Sequence, residues 1–314
     1  MPVPPDMTKQ GFYAGTSGYY YDDWIGIFNP PKLSAKASAI AGEQDRQDQD
    51  RLRFYQNYFS FVEINNTFYA EPQLPHFLGI AERSRESMKF SVKVFKEISH
   101  TGTWDIGKGC DLMKRHISAV SPLIETGRFY SFLIQLEDRL YRSRKVLDYL
   151  LAVASRAVGM HVDVHIEFRH ISWHDINVLT ALKNAGIGIC NTEIPPVKHA
   201  FPLKSYATTD KAYVRYSGRN SDNWYPGTPA KTAREKTASR NARYDYLYTD
   251  EEINERVQGQ IVLSKKATIV AIAYNNHYQA KAVRNATANL RLLNRFFSTA
   301  KVDNGLRQGP VIVK

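Results

Sequence analysis

Apolar residues recur along the chain in short alternating runs. FYAGT near residue 12, FVEIN near 61, KFSVKVF near 89, FYSFLIQL near 129, VDVHIEF near 162, GIGIC near 186, AYVRY near 212 and TIVAIAY near 268 all have strand character. Most are separated by stretches with helical spacing, such as Lys145 to Ala157, Ile176 to Ala185 and Ala280 to Phe297. Strands alternating with helices predict a parallel sheet. Eight such units predict an α/β fold, a single TIM-like (βα)8 barrel over residues 12–299. The rival is an open doubly wound sheet, but no GxGxxG follows the first strand, and GTSGYY (15–20) also lacks the lysine of a P-loop. Two segments read as insertions, 34–53 and 218–256. The first ends in RLRFYQNYF, where Leu52, Tyr55 and Phe59 have the spacing of a helix's last turns. Residues 1–11 are expected to be disordered, and 300–314, whose end lacks a helical pattern, to form a C-terminal tail.

Alternation within the strands sorts the side chains onto two faces. Val62 and Ile64, then Val92 and Val94, then Val164, Ile166 and Phe168 share one face, which in a barrel packs on the helices. The other face then sends Glu63, Asn65, Ser91, Lys93, His165, Glu167, Arg169 and, from the seventh strand, Arg215 toward the barrel axis. Unpaired buried charges cost several kcal/mol each, so these groups must pair or face a solvated mouth. Polar groups at the C-terminal ends of barrel strands mark a site. The alternative is a self-satisfied ion network that only closes the barrel.

Three cations, Lys93, Arg169 and Arg215, against Glu63 and Glu167 give the cluster one excess positive charge, which suits a phosphate or carboxylate. A glycosidase using Glu63 and Glu167 is the weaker alternative, because neighbouring arginines lower the pKa that the proton donor needs raised. No HExxH, GxSxG or CxxC motif is present, so no cofactor is indicated, and a divalent metal near His165, Glu167, His100, His170 or His277 stays open. Tyr19, Tyr20, Tyr21, Trp24, Phe68, Tyr69, Trp173, Trp224 and Tyr225 all follow strands. They suit either loop packing or a stacking rim for a ligand.

The chain of 314 residues is 43% hydrophobic and 12% aromatic, enough for a large core. It has no apolar run of membrane-span length and no signal-peptide core, so a cytoplasmic, non-membrane protein is expected. Cys110 and Cys190 read as buried thiols rather than a disulfide or zinc ladder. Forty-two basic residues against 31 acidic ones leave a net charge of +11, a balance that favours polyanions. Between Lys211 and Tyr244 eight basic residues meet two acidic ones. Within that stretch Arg219, Lys231, Arg234, Lys236, Arg240 and Arg243 are the candidates for contacting nucleic-acid phosphates.

Six ordered phrases carry a family resemblance: GTSGYYYDDWIGIFNP (15–30), VEINNTFY (62–69), FSVKVFKEISH (90–100), IEFRHISW (166–173), YVRYSG (213–218) and AYNNHYQAKAVRNA (273–286). The chain resembles the domain-of-unknown-function seventy-two family, also called YecE-like, from about Tyr13 to Leu293. The resemblance implies a TIM-like barrel, and the family's recurrent residues correspond to Gly15, Trp24, Glu63, Asn65, Tyr69, Lys93, Gln135, Glu167, Arg169, Trp173, Arg215, Asn275 and Asn276. The activity of the family is not settled; a likeness of its barrel to metal-dependent DNA-repair endonucleases hints at nucleic acid. This sequence departs from the pattern in three places. Leu136 is followed by Glu137 and Asp138 instead of two prolines, Ser217 replaces a histidine, and strand six has Asn191 and Glu193 where the family ends in an aspartate.

Together these features predict a ligand site at the C-terminal mouth for an anionic small molecule or nucleic acid, with hydrolysis of a phosphate ester as the enzymatic option. Glu63, Glu167 and Lys93 are the candidate catalytic groups. Arg169, Arg215, Asn65, Gln135, Asn275, Asn276, Tyr19, Trp24, Tyr69 and Trp173 are the candidate ligand-binding groups. The alternative is a non-catalytic nucleic-acid binder that uses the basic 211–244 segment.

Overall fold

The computed structural model describes residues 1–33, 42, 48–225 and 232–306, with side chains up to 299 apart from Ala233 and Arg240. Eight parallel strands close into one barrel in chain order: β1 (Phe12–Ser17), β2 (Phe61–Ile64), β3 (Lys89–Lys93), β4 (Phe129–Gln135), β5 (Val164–Glu167), β6 (Gly188–Glu193), β7 (Lys211–Tyr216) and β8 (Ile269–Tyr274). Helices α1 (Arg51–Tyr55), α2 (Leu74–Arg83), α3 (Lys96–Ser99), α4 (Ile106–Glu125), α5 (Arg144–Val158), α6 (Ile176–Asn184), α7 (Ala233–Arg243), α8 (Asp250–Ser264) and α9 (Lys281–Leu306) supply the connections. Residues 194–210, between β6 and β7, cross over without a helix.

Local chemistry sets the helix starts. Asp50, Asp105, Ser143 and Asp175 each accept a backbone N–H of the first turn of α1, α4, α5 and α6. The apolar strand faces, with Val62, Val92, Val164 and Ile166, are buried in the main core against the helices. Inside the barrel a smaller cluster of Phe61, Tyr130, Leu133, Cys190, Tyr213, Ala271 and Ala273 forms a floor beneath the polar layer. Two glycines make that interior possible. A Cβ on Gly15 would lie 1.8 Å from the Phe61 carbonyl oxygen, and one on Gly188 would lie 2.3 Å from the His165 ring.

Several expectations change. Residues 1–11, expected to be disordered, include a 3₁₀ turn at Thr8–Gln10, and Met7 is buried in the main core. The second insertion ends before residue 250, because Asp250–Ser264 is the barrel helix that follows β7. The expected tail from 300 is helical as far as Leu306. Most of the first insertion, together with Lys231, lies outside the described residues. Cys190 is buried as expected, whereas Cys110 is only partly buried. No helix among the described residues is long and apolar enough to cross a membrane.

Candidate functional site

β-strand periodicity delivers the charged residues to one layer above the floor. Glu63 on β2, Glu167 on β5 and Arg215 on β7 are all buried. Arg215 donates from Nε to Glu63 Oε2 at 2.7 Å, from Nη2 to Glu63 Oε1 at 2.8 Å, and from Nη1 to Glu167 Oε2. Ser17 Oγ and the Tyr213 hydroxyl also donate to Glu63. Glu167 further accepts from Gln135 Nε2 at 3.0 Å and from Arg169 Nε at 2.8 Å. Arg169 Nη1 continues to Asp138 Oδ1 at 2.9 Å, and the Trp224 indole N–H donates to the other Asp138 oxygen at 2.8 Å.

This network corrects the roles expected of the two glutamates. Burial alone would raise the Glu167 carboxyl, but Arg215 and Arg169 outweigh it and hold the group down at about 2. A carboxyl held that low is ionised near neutral pH, which disfavours Glu167 as the proton donor of a glycosidase. Glu63 and Glu167 are spent on one shared guanidinium. The expected charge excess also disappears: with Asp138 included, three carboxylates face Arg169, Arg215 and Lys93. Asp138, from the loop after β4, therefore brings a counter-charge into the network.

Lys93 differs from its neighbours. It ends β3 at the mouth, and its Nζ donates to Gln135 Oε1 at 2.8 Å and sits 4.0 Å from the centre of the Phe68 ring. Among the described residues no carboxylate lies within 4.0 Å of that nitrogen. Burial, then Arg215 and Arg169, lower its pKa to about 7, while the Phe68 face works in the opposite direction. His100 packs its ring against the same Phe68, centroids 4.9 Å apart. Burial, followed by Lys93 and Arg169, lowers His100 to about 4, so it is neutral at pH 7.

Above this layer opens a cavity of about 430 Å³. Its polar floor presents Asn65, Lys93, Gln135, Arg215 and Asn275, and its walls are Tyr19, Tyr20, Tyr21, Phe68, Tyr69, Tyr244 and His277. These residues end or follow strands, so the cavity is the C-terminal mouth of the barrel. Asn65 Oδ1 is buried there without a hydrogen-bond partner. Asn275 Nδ2 donates to Ser217 Oγ at 3.2 Å, so Ser217 supports the amide of Asn275.

Of the expected ligand-binding residues, Asn65, Gln135, Asn275, Tyr19, Tyr69 and Arg215 line the cavity. Trp24, Trp173, Asn276 and Arg169 do not. The Trp24 and Trp173 indoles donate to the carbonyls of His277 and Leu140, and Asn276 Nδ2 donates to the Tyr246 carbonyl and Asn285 Oδ1. They brace the loops around the mouth. His165 is a core residue, bonded to Ser131 Oγ and the Lys211 carbonyl and driven down to about 4 by burial. Asn191 gives and accepts hydrogen bonds with the Tyr206 backbone, and the donated bond is one an aspartate could not make. Among the described residues no group of three or more His, Cys, Asp or Glu side chains gathers as metal ligands would.

The basic segment is divided. Arg219 pairs with Glu193 and Glu252, Arg243 stacks on Trp224, and Arg234 and Lys236 are exposed on α7. Lys231 and the Arg240 side chain lie outside the described residues. Sequence reasoning missed Tyr213 and Tyr244. Tyr213 was legible, standing two residues before Arg215 on the same strand face. Tyr244 was not, because it reaches the mouth only by the path of the inserted segment.

Known proteins share this architecture. A DUF72 family protein from Thermotoga maritima MSB8 is 28% identical, with a TM-score of 0.73 over 90% of this chain and 99% of its own. Another from Enterococcus faecalis V583 is 20% identical, with a TM-score of 0.71 over 90% of this chain and 95% of its own, and shares the fold. The UPF0759 protein YunF of Bacillus subtilis (strain 168) is 22% identical over 294 residues, 91% of this chain and 96% of its own length. Residues 13–306 match the family described as protein of unknown function DUF72. The inward polar set, the eight-stranded barrel and this match together make the chain a member of the DUF72 family.

Proposed function

We propose that this protein binds a small molecule carrying a single anionic group in the mouth cavity, with that group against Lys93. One observation carries the reading: Lys93 Nζ, at the cavity floor, has only neutral partners, while every carboxylate of the layer below is engaged by a guanidinium. An approaching anion therefore meets a cation whose charge is not locally cancelled. The balance of three carboxylates against three cations disfavours a polyphosphate. Tyr20, Tyr21 and Phe68 add apolar faces for the rest of the ligand.

Titration calorimetry with lactate and with inorganic phosphate at low salt tests this. The expected result is binding that Lys93→Met removes and Lys93→Arg retains. Because the ammonium form binds, affinity for lactate should be level below pH 7, where the free amine titrates, and fall above it. Affinity that is flat from pH 6 to 9, or unchanged in Lys93→Met, would overturn the reading. Salt-steep binding of oligonucleotides that depends on Arg234 and Lys236 would favour the nucleic-acid alternative instead.

A further inference from the structure

Lys93 has a geometry that anion binding alone does not need. Its amine stands at the end of a barrel strand, at the floor of a partly enclosed cavity, held by one neutral hydrogen bond and one ring face. Such an amine can act as a nucleophile toward a carbonyl carbon. We propose that Lys93 forms an imine with a 2-oxo acid bound in the mouth cavity, an inference that rests on the anion-binding reading above. The protonated imine carries the positive charge that the ammonium carried at the same place, so a carboxylate one bond from the reacting carbon is paired in the product. A 2-oxo acid carries both groups in one small molecule.

The step balances without an oxidant or reductant. The Nζ lone pair attacks the ketone carbon, the C=O π pair moves to oxygen, and an N–H proton is transferred to that oxygen to give a carbinolamine. The carbinolamine hydroxyl takes a proton from solvent and leaves as water while the nitrogen lone pair forms C=N, giving the protonated imine, which keeps its remaining N–H. Near neutral pH about half of the Lys93 side chains present the required free amine, against fewer than ~1 in 1,000 for an ordinary surface lysine. Neutral His100 packs on the same Phe68 ring, with Ser99 Oγ 2.8 Å from its Nδ1. The Gln135 amide, itself anchored on Glu167, fixes the position of the amine.

Borohydride trapping tests the proposal. The protein is incubated with pyruvate, 2-oxoglutarate or phenylpyruvate at pH 7, reduced, digested and mapped by mass spectrometry, and in parallel labelled with formaldehyde and cyanoborohydride. The expected outcome is a reduced 2-oxo acid adduct on Lys93, together with methylation of Lys93 about a hundredfold ahead of the surface lysines. Lys93→Arg should bind lactate yet give no adduct. Lactate binding with no adduct from any of the three acids overturns the imine and leaves the anion reading standing. If Lys93 is methylated no faster than surface lysines and lactate does not bind, both fail. An adduct without lactate binding keeps the imine and refutes the anion reading.

Discussion

At the residue scale the interior charges are decided by who holds whom. Arg215 bridges two buried carboxylates, so its removal strands both, a defect that costs about 3–5 kcal/mol where a buried pair is broken. Glu167 gives this a pH signature. Its pKa is depressed from the ordinary 4.5 to about 2 in the folded protein. The unfolded chain therefore takes up the proton first, and the stabilisation, complete above pH 4.5, is lost as pH falls toward 2. Glu167→Gln should be several kcal/mol less stable than the parent in urea unfolding at pH 7, and the gap should narrow in melts at pH 3. A constant gap across that window would mean the carboxylate is not held as the structure shows.

At the element scale the inserted segment is tied to the barrel by α8. Thr249 Oγ1 accepts the Glu252 backbone N–H and the Glu252 carboxylate accepts the Thr249 N–H, while the other Glu252 oxygen takes Arg219 and Tyr246. One capping box thus anchors the helix start and the path that brings Tyr244 to the cavity wall. Thr249→Ala should cost about 1 kcal/mol in denaturant unfolding and should weaken lactate binding if that path positions Tyr244. Unchanged unfolding would show that the cap is redundant with Arg219. The same ties explain why a sequence-level count of basic residues overstates the free positive surface here.

At the scale of the whole molecule the chain closes both ends of its barrel differently. The C-terminal mouth holds the cavity, with a polar floor and aromatic walls. Near the start of β1, Met7 is buried in the main core and its carbonyl accepts the Phe12 N–H. Met7→Ala should therefore cost about 2–3 kcal/mol, the range for truncating a buried methionine, and thermal unfolding measures it. A loss below ~0.5 kcal/mol would mean that Met7 does not anchor the first eleven residues.

Periodicity in the sequence determined the barrel and the inward polar set, because strand alternation is local and a parallel sheet buried on both faces must sort its side chains by face. Glu63, Lys93, Glu167 and Arg215 were found that way. Only the tertiary structure decided their roles, since pairing depends on which strands face each other across the axis and on loops far away in sequence. Asp138 shifted the charge balance from a loop, Trp24 and Trp173 turned inward because their indole N–H groups found backbone carbonyls, and Arg219 was consumed by α8. What remained at the mouth without a carboxylate was Lys93, because the three acidic groups of the layer were already satisfied by guanidinium forks whose planar geometry fits them better than an ammonium does.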